Sequence, residues 1–257
     1  MSGLQAITSW NDKFSTNGPG TLIEGWRLGL IGALAYMPAL IATPAAGWAC
    51  DRFGRKPATY VGCAGTIVGA VIGAAANGLG MLYAGRVIVG GFAYFASIGC
   101  ILILNEVVHP RMRHIATALY LTTYYIGGIV ASWSTFGCVY WNSSWAWRLP
   151  TLLQALGPII IAIGLVTVVP ESPRWLMANG REDEARKILL DLHANGAEHD
   201  ELVMNEIEEI AQAIQFTRDG GNAGWGEFLR TPGNRKRLVI LLLVGTGTQW
   251  SGLSVIS

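Results

Sequence analysis

Asp51-Arg52-Phe53-Gly54-Arg55-Lys56-Pro57 carries three cations and one anion in seven residues. Almost uncharged runs flank it, Leu28 to Cys50 before and Ala58 to Ala76 after. A helix rises about 1.5 Å per residue, so about 20 apolar residues cross the hydrocarbon core of a bilayer. The two runs are of that order, and together they predict a transmembrane hairpin with its charged connection at a membrane surface. Arg and Lys collect on the cytoplasmic side of membrane proteins, which places the connection there. Gly47, four residues before Asp51, offers a smooth surface to another helix, and Gly54 permits the turn.

Composition agrees with a membrane bundle. Hydrophobic residues make up 51% of the chain and charged residues 14%, against about a quarter charged in an ordinary soluble domain. Ten Trp and 33 Gly fit the same class, because Trp favours membrane interfaces and Gly favours close helix contacts. A net charge of +1 makes no electrostatic case for nucleic acid. Cys50, Cys63, Cys100 and Cys138 lie in or beside apolar runs without metal-type spacing, and read as small core residues.

Residues 1–27 are polar and mixed, with no basic region followed by an apolar core, so no signal-peptide pattern is present. If Asp51–Pro57 is cytoplasmic, this segment is external, and a helix preceding the given sequence is expected. The run at about 58–76 places Gly65, Gly69 and Gly73 on one stripe at four-residue spacing, suited to helix contact in lipid. Asn77–Gly80 reads as a short external turn. The next run, about 81–104, contains Arg86, whose charge either has a partner or a wet cavity, or snorkels to the external interface. Asn105–His114 is a second Arg-rich break, cytoplasmic by parity. Residues 115–139 and 149–169 form two further spans, the latter with Gln154 and Pro158. Between them Asn142-Ser143-Ser144 fits a glycosylation pattern on the external side.

Composition changes at Pro170. A polar region of some 65 residues follows, in which Glu182–Ala194 and Asp200–Phe216 have amphipathic helical spacing. These predict cytoplasmic helices beneath the bundle. Arg235-Lys236-Arg237 closes the region, and Leu238–Ser257 is about one crossing long. The expected organisation is an external segment 1–27, a partial transmembrane bundle 28–169, a cytoplasmic loop 170–237 and the start of a second bundle 238–257. The fold class is all-α, with about six transmembrane helices plus amphipathic cytoplasmic helices.

Five elements occur in a telling order: Gly47…Asp51-Arg52-x-Gly54-Arg55, Gly85-Arg86, Glu106…Pro110-x-x-Arg113, Pro170-Glu171-Ser172-Pro173-Arg174-Trp175, and Gln249-Trp250-Ser251-Gly252. Together they resemble the sugar porters of the major facilitator superfamily, near the fungal hexose and lactose carriers. The resemblance implies two six-helix bundles with substrate between them at mid-membrane. On that template the chain holds family helices two to six and most or all of seven.

The resemblance also implies roles. Asp51, Arg52, Arg55, Glu106, Arg113, Glu171 and Arg174 would form a cytoplasmic gate whose ion pairs exchange as the bundles rock; alternatively they only set topology. His114 stands where the family usually has Gly. Arg86 matches the Arg that faces a helix-one Asp in proton-coupled members, so that protonation could drive the change of state. Gln249 matches a sugar-binding Gln, Ser254 stands where Asn is expected, and Leu121 falls where many relatives carry a sugar-binding Gln. Gln154 is either a further sugar contact or a bond between helices. The expected function is transport of a mono- or disaccharide by alternating access, with proton symport, in a plasma membrane. Sugar, protons and the lipid bilayer are the expected partners, with no cofactor. The alternative is a non-transporting sugar sensor or an inactive truncated homologue. An enzyme is disfavoured: His109, His114, His193, His199 and the carboxylates form no ligand cluster, and no nucleophile motif is present.

Overall fold

A computed structural model describes residues 4, 7–15, 22–141, 143–194, 201–219 and 226–250. They divide into two compact units, Met1–Val203 and Met204–Ser257. The first contains α1 (Thr8–Phe14), α2 (Gly25–Tyr36), α3 (Ala39–Phe53), α4 (Arg55–Ala74), α5 (Leu79–Val107), a 3-10 turn (Pro110–Met112), α6 (Arg113–Val139), α7 (Trp145–Leu153), α8 (Leu156–Thr167), α9 (Pro173–Ala178) and α10 (Glu182–His193). From residue 201 the chain continues as α11 (Glu201–Asp219), α12 (Glu227–Arg230) and α13 (Pro232–Trp250).

Five helical stretches among the described residues are long and apolar enough to cross a membrane: Gly25–Phe53, Arg55–Ala74, Leu79–Val107, Pro110–Val139 and Trp145–Thr167. The sixth expected crossing, 238–257, is helical as far as Trp250; its last seven residues lie outside the described ones. Two of the five are interrupted where proline removes a backbone donor. Pro38 cannot donate to the carbonyl of Leu34. α2 therefore closes with Met37 N–H on Ala33 O at 2.9 Å, and α3 opens with Ala42 N–H on Pro38 O at 2.9 Å. Pro158 likewise leaves the carbonyl of Gln154 without its helical donor, and the chain turns at Gln154–Ala155 between α7 and α8. These are proline breaks.

The core of the bundle is the antiparallel pair α4 and α5. α4 presents glycines to α5, so the two helices close up. A Cβ built on Gly62 would stand 2.4 Å from the backbone nitrogen of Ala96, one on Gly65 would lie 2.2 Å from the Phe92 ring, and one on Gly69 would lie 2.8 Å from the nitrogen of Val89. Gly85 faces Gly73, its Cβ position 2.9 Å from the Gly73 Cα. Lipid tails are as apolar as Leu, so helices in a bilayer associate through such packing rather than by expelling water. Gly65 and Gly69 of the expected stripe thus face α5, with Gly62 on the same face, while Gly73 meets α5 through its backbone and its Cβ position lies 3.5 Å from Thr151 of α7. Gly47, by contrast, has open space at its Cβ position.

The hairpin connection is tighter than its charge pattern suggests. α3 runs through Asp51, Arg52 and Phe53, and α4 starts at Arg55, so Gly54 alone makes the turn. Its φ of 105° belongs to the region that favours glycine. At the opposite end of the bundle, α1 is folded onto its neighbours. Ile7, Trp10 and Phe14 are buried in one cluster with Leu82, Cys138, Ala146 and Trp147. Within residues 1–27, read as a polar segment, a short helix therefore contributes apolar anchors. Along α6, Tyr124, Ile129, Trp133 and Phe136 are exposed, a surface suited to an apolar medium.

Candidate functional site

Arg55 is the centre of the charged end of the bundle. As the first residue of α4 it follows directly on the Gly54 turn, and it is 8% exposed. Its guanidinium is planar and carries donors on two edges. One edge grips Glu106, near the end of α5, in a bidentate pair: Nε to Oε2 at 3.0 Å and Nη2 to Oε1 at 3.1 Å. Nη1 donates to the carbonyl of Cys50 in α3 at 3.1 Å, and Asp51 Oδ1 lies 3.4 Å from Nη2. The partners differ in burial: the Glu106 side chain is 12% exposed and that of Asp51 77%. An exposed pair contributes little and a desolvated one is costly to break on one side, so Glu106 is the partner that matters.

Glu171 works on the backbone of the same residue. Gly54 occupies the N-cap position of α4 and has no side chain to satisfy the first N–H groups. Glu171, from the segment between α8 and α9, supplies the acceptor instead. Its Oε1 accepts from the N–H of Arg55 at 3.1 Å and from that of Lys56 at 3.3 Å. A carboxylate at a helix N-terminus also meets the positive end of the helix dipole. Ser172 N–H donates to Glu171 Oε1 at 2.9 Å, which holds the carboxylate over the α4 terminus.

Two residues join this cluster that the sequence reading did not single out for a role. Ser172 caps α9, its Oγ accepting from Trp175 N–H at 3.2 Å, and the same hydroxyl donates to Glu106 Oε2. Trp175 Nε1 donates to the carbonyl of Asp51 at 3.0 Å. A signal was available: Ser followed by Pro is an N-cap and first-turn pattern. Its long-range partners, 66 and 124 residues away in sequence, were not in that pattern.

The other candidate residues are distributed as follows. Asp51, Arg55, Glu106 and Glu171 are brought together. Arg52 and Arg174 are exposed, and neither makes an ion pair among the described residues. Arg113 is the first residue of α6 and partly buried, and His114 beside it is exposed. Arg86 lies inside the bundle at 8% exposure. Gln154 is half-buried at the α7–α8 break, and Leu121 is 59% exposed on α6. Gln249 belongs to α13, with its side chain outside the described set, and Ser254 lies outside the described residues. Among the described residues no group of three His, Cys, Asp or Glu could hold a metal ion.

The family model described as "Sugar (and other) transporter" matches residues 2–257. The chain is 28% identical over 254 residues to a high-affinity glucose transporter of Kluyveromyces lactis, covering 98% of this chain and 44% of that protein. It is 27% identical over 218 residues to the galactose-proton symporter of Escherichia coli K12, covering 85% of this chain and 44% of that one. The chain thus spans less than half the length of these two relatives. Among solved structures it is similar to the major facilitator superfamily proton:xylose symporter XylE bound to 6-bromo-6-deoxy-D-glucose. The TM-score there is 0.69 at 19% identity, over 86% of this chain and 49% of that one. Apolar crossings, a glycine-packed hairpin and this charged end thus coincide with a family match along the whole sequence: the chain belongs to the sugar (and other) transporter family, and its fold is a partial major facilitator fold.

Proposed function

We propose that this chain forms the amino-terminal bundle and the start of the second bundle of a sugar transporter working by alternating access. The observation that carries this is the Arg55 cluster. In a bundle with few charges elsewhere, one end concentrates a buried bidentate Arg55–Glu106 pair with Glu171 capping α4. Such a cluster costs desolvation energy and is weak evidence for stability as such. It suits a lock that exchanges partners between two states. Asp51, Arg55, Glu106 and Glu171 are its members on this bundle; Arg52, Arg113 and Arg174 at the same end are its candidate partners for a second bundle.

Protons are the proposed coupling ion, with Arg86 as the residue that senses them. A buried cation favours the charged form of any nearby acid and responds when that acid is protonated. Gln249, Ser254 and Gln154 are the proposed sugar contacts, offering hydrogen bonds to hydroxyls. Relatives named for glucose and for galactose-proton symport make hexoses the first substrates to try, and the plasma membrane is the proposed location.

The test is uptake of labelled glucose, galactose and xylose by proteoliposomes containing the full-length protein. Accumulation should follow an imposed inward proton gradient and collapse with a protonophore. Arg86→Ala should abolish accumulation and spare exchange. Uptake that ignores the gradient would remove the proton, and no uptake of these sugars, nor of labelled lactose or maltose under the same conditions, would remove the transport reading.

A further inference from the structure

At the end of the bundle opposite Arg55, two cations share one aromatic ring. Lys13 Nζ, on α1, lies 5.4 Å from the centroid of Trp147, and Arg148 Cζ, on α7, also lies 5.4 Å from it. Trp147 is fully buried. Phe14 packs edge-on against it at 5.4 Å, and Trp10 against Phe14 at 5.8 Å. Ser9 Oγ donates to Ser143 O at 3.2 Å, tying α1 to the start of α7. No acidic residue stands in the first turn of α7, so the positive end of its dipole adds potential at the same place, while the N–H groups of Trp145 and Ala146 already donate to Ser143.

Two observations point to an anionic ligand. Trp10 Nε1, Trp147 Nε1 and Arg148 Nε are buried donors with no acceptor among the described residues. Buried donors normally have partners, and leaving one without an acceptor is costly. Moreover, the Lys13 ammonium is held below its ordinary pKa, first by burial and second by the Arg148 guanidinium. A dominant neighbouring carboxylate would act in the opposite sense. Asn77 Oδ1, 3.4 Å from Lys13 Nζ, supplies a neutral acceptor and no charge. Cation–ring contacts are individually weak, a modest return for holding two cations together.

We propose that Lys13, Arg148 and the start of α7 form a binding site for a phosphate-type oxyanion, carried by an anionic lipid headgroup or free in solution. A tetrahedral oxyanion offers charge to both cations and several acceptor oxygens. The site lies where the apolar crossings end, the level of headgroups. It is independent of the transport reading, because its test measures binding alone.

The full chain is placed in phosphatidylcholine nanodiscs. Millimolar inorganic phosphate is added in one arm, and a minor fraction of phosphatidylglycerol in the other, with binding read by native mass spectrometry and thermal stability. Binding of phosphate assigns a free anion, and retention of phosphatidylglycerol alone assigns a headgroup. In either case Lys13→Gln with Arg148→Gln should weaken binding about tenfold or more, and Lys13→Arg should retain it. Should the double variant fail to fold by circular dichroism, Lys13→Gln alone serves, with a smaller loss in the same direction. No binding in either arm, or unchanged binding by the folded variants, overturns the site.

Discussion

Gly54 sits with φ at 105°, and a Cβ there would lie 2.9 Å from Glu171 Oε2. Gly54→Ala therefore meets two obstacles, backbone strain of about 1–3 kcal/mol and displacement of the carboxylate that caps α4. The expected result is a lower thermal midpoint in detergent. Glu171→Gln keeps the shape and removes the charge, and should cost less, about 0.5–2 kcal/mol. If the two variants lose equal stability, strain at Gly54 adds nothing of its own.

A second pair shows the opposite regime. Arg181 Nε donates to Glu184 Oε1 at 2.8 Å, and that hydrogen bond, more than charge, holds the Glu184 carboxyl below its ordinary range. A lowered folded-state pKa means any stabilisation is present above the ordinary carboxylate range and fades as pH falls through the lowered value. Both side chains are about half exposed, where such pairs contribute little. Glu184→Gln should leave the thermal midpoint at neutral pH unchanged; a large drop would show that the pair is shielded in the folded protein.

At the scale of elements, α4 and α5 depend on the absence of side chains. Gly62→Val would place atoms where the backbone of Ala96 already is, and backbone cannot swing aside as a side chain does. Overpacking of this kind costs about 1–3 kcal/mol, and the helices should separate. Gly47→Val, where space is open, is the control. Comparable loss of folded yield from the two would show that crowding between α4 and α5 is not the cause. The stripe at Gly65, Gly69 and Gly73 was legible, because four-residue spacing repeats a helix face. Its partners on α5 were not: Phe92 faces Gly65, Val89 faces Gly69 and Gly85 faces Gly73, and only the antiparallel register brings these mixed residues onto the stripe.

For the bundle formed by α1 to α10, the testable quantity is sidedness. Arg52 and Arg174 are both exposed beside the Arg55 cluster, whereas Ser143 is exposed beside α1 at the other end. Cysteines introduced at Arg52 and Arg174, with the four natural ones replaced, should react with an impermeant maleimide from one side of the membrane. A cysteine at Ser143 should react from the other. Labelling of Arg52→Cys and Arg174→Cys from opposite sides would contradict the bundle.

Composition and run length by themselves settled that these helices cross a membrane, because crossing depends on summed transfer free energy along a segment. Motif order pointed to the family that the match over residues 2–257 shows, and the basic breaks at residues 51–57 and 105–114 marked one common end. Which charges touch, and how, was decided only by the tertiary structure. The Arg55–Glu106 clasp, the capping of α4 by Glu171 and the bond from Trp175 to Asp51 join residues 51 to 124 positions apart. The folding of Ile7, Trp10 and Phe14 onto Trp147 is of the same kind, since a polar segment reveals its few apolar anchors only when a surface is there to receive them. Burial and hydrogen-bond geometry depend on all the helices at once, and a linear pattern carries only the local part of that information.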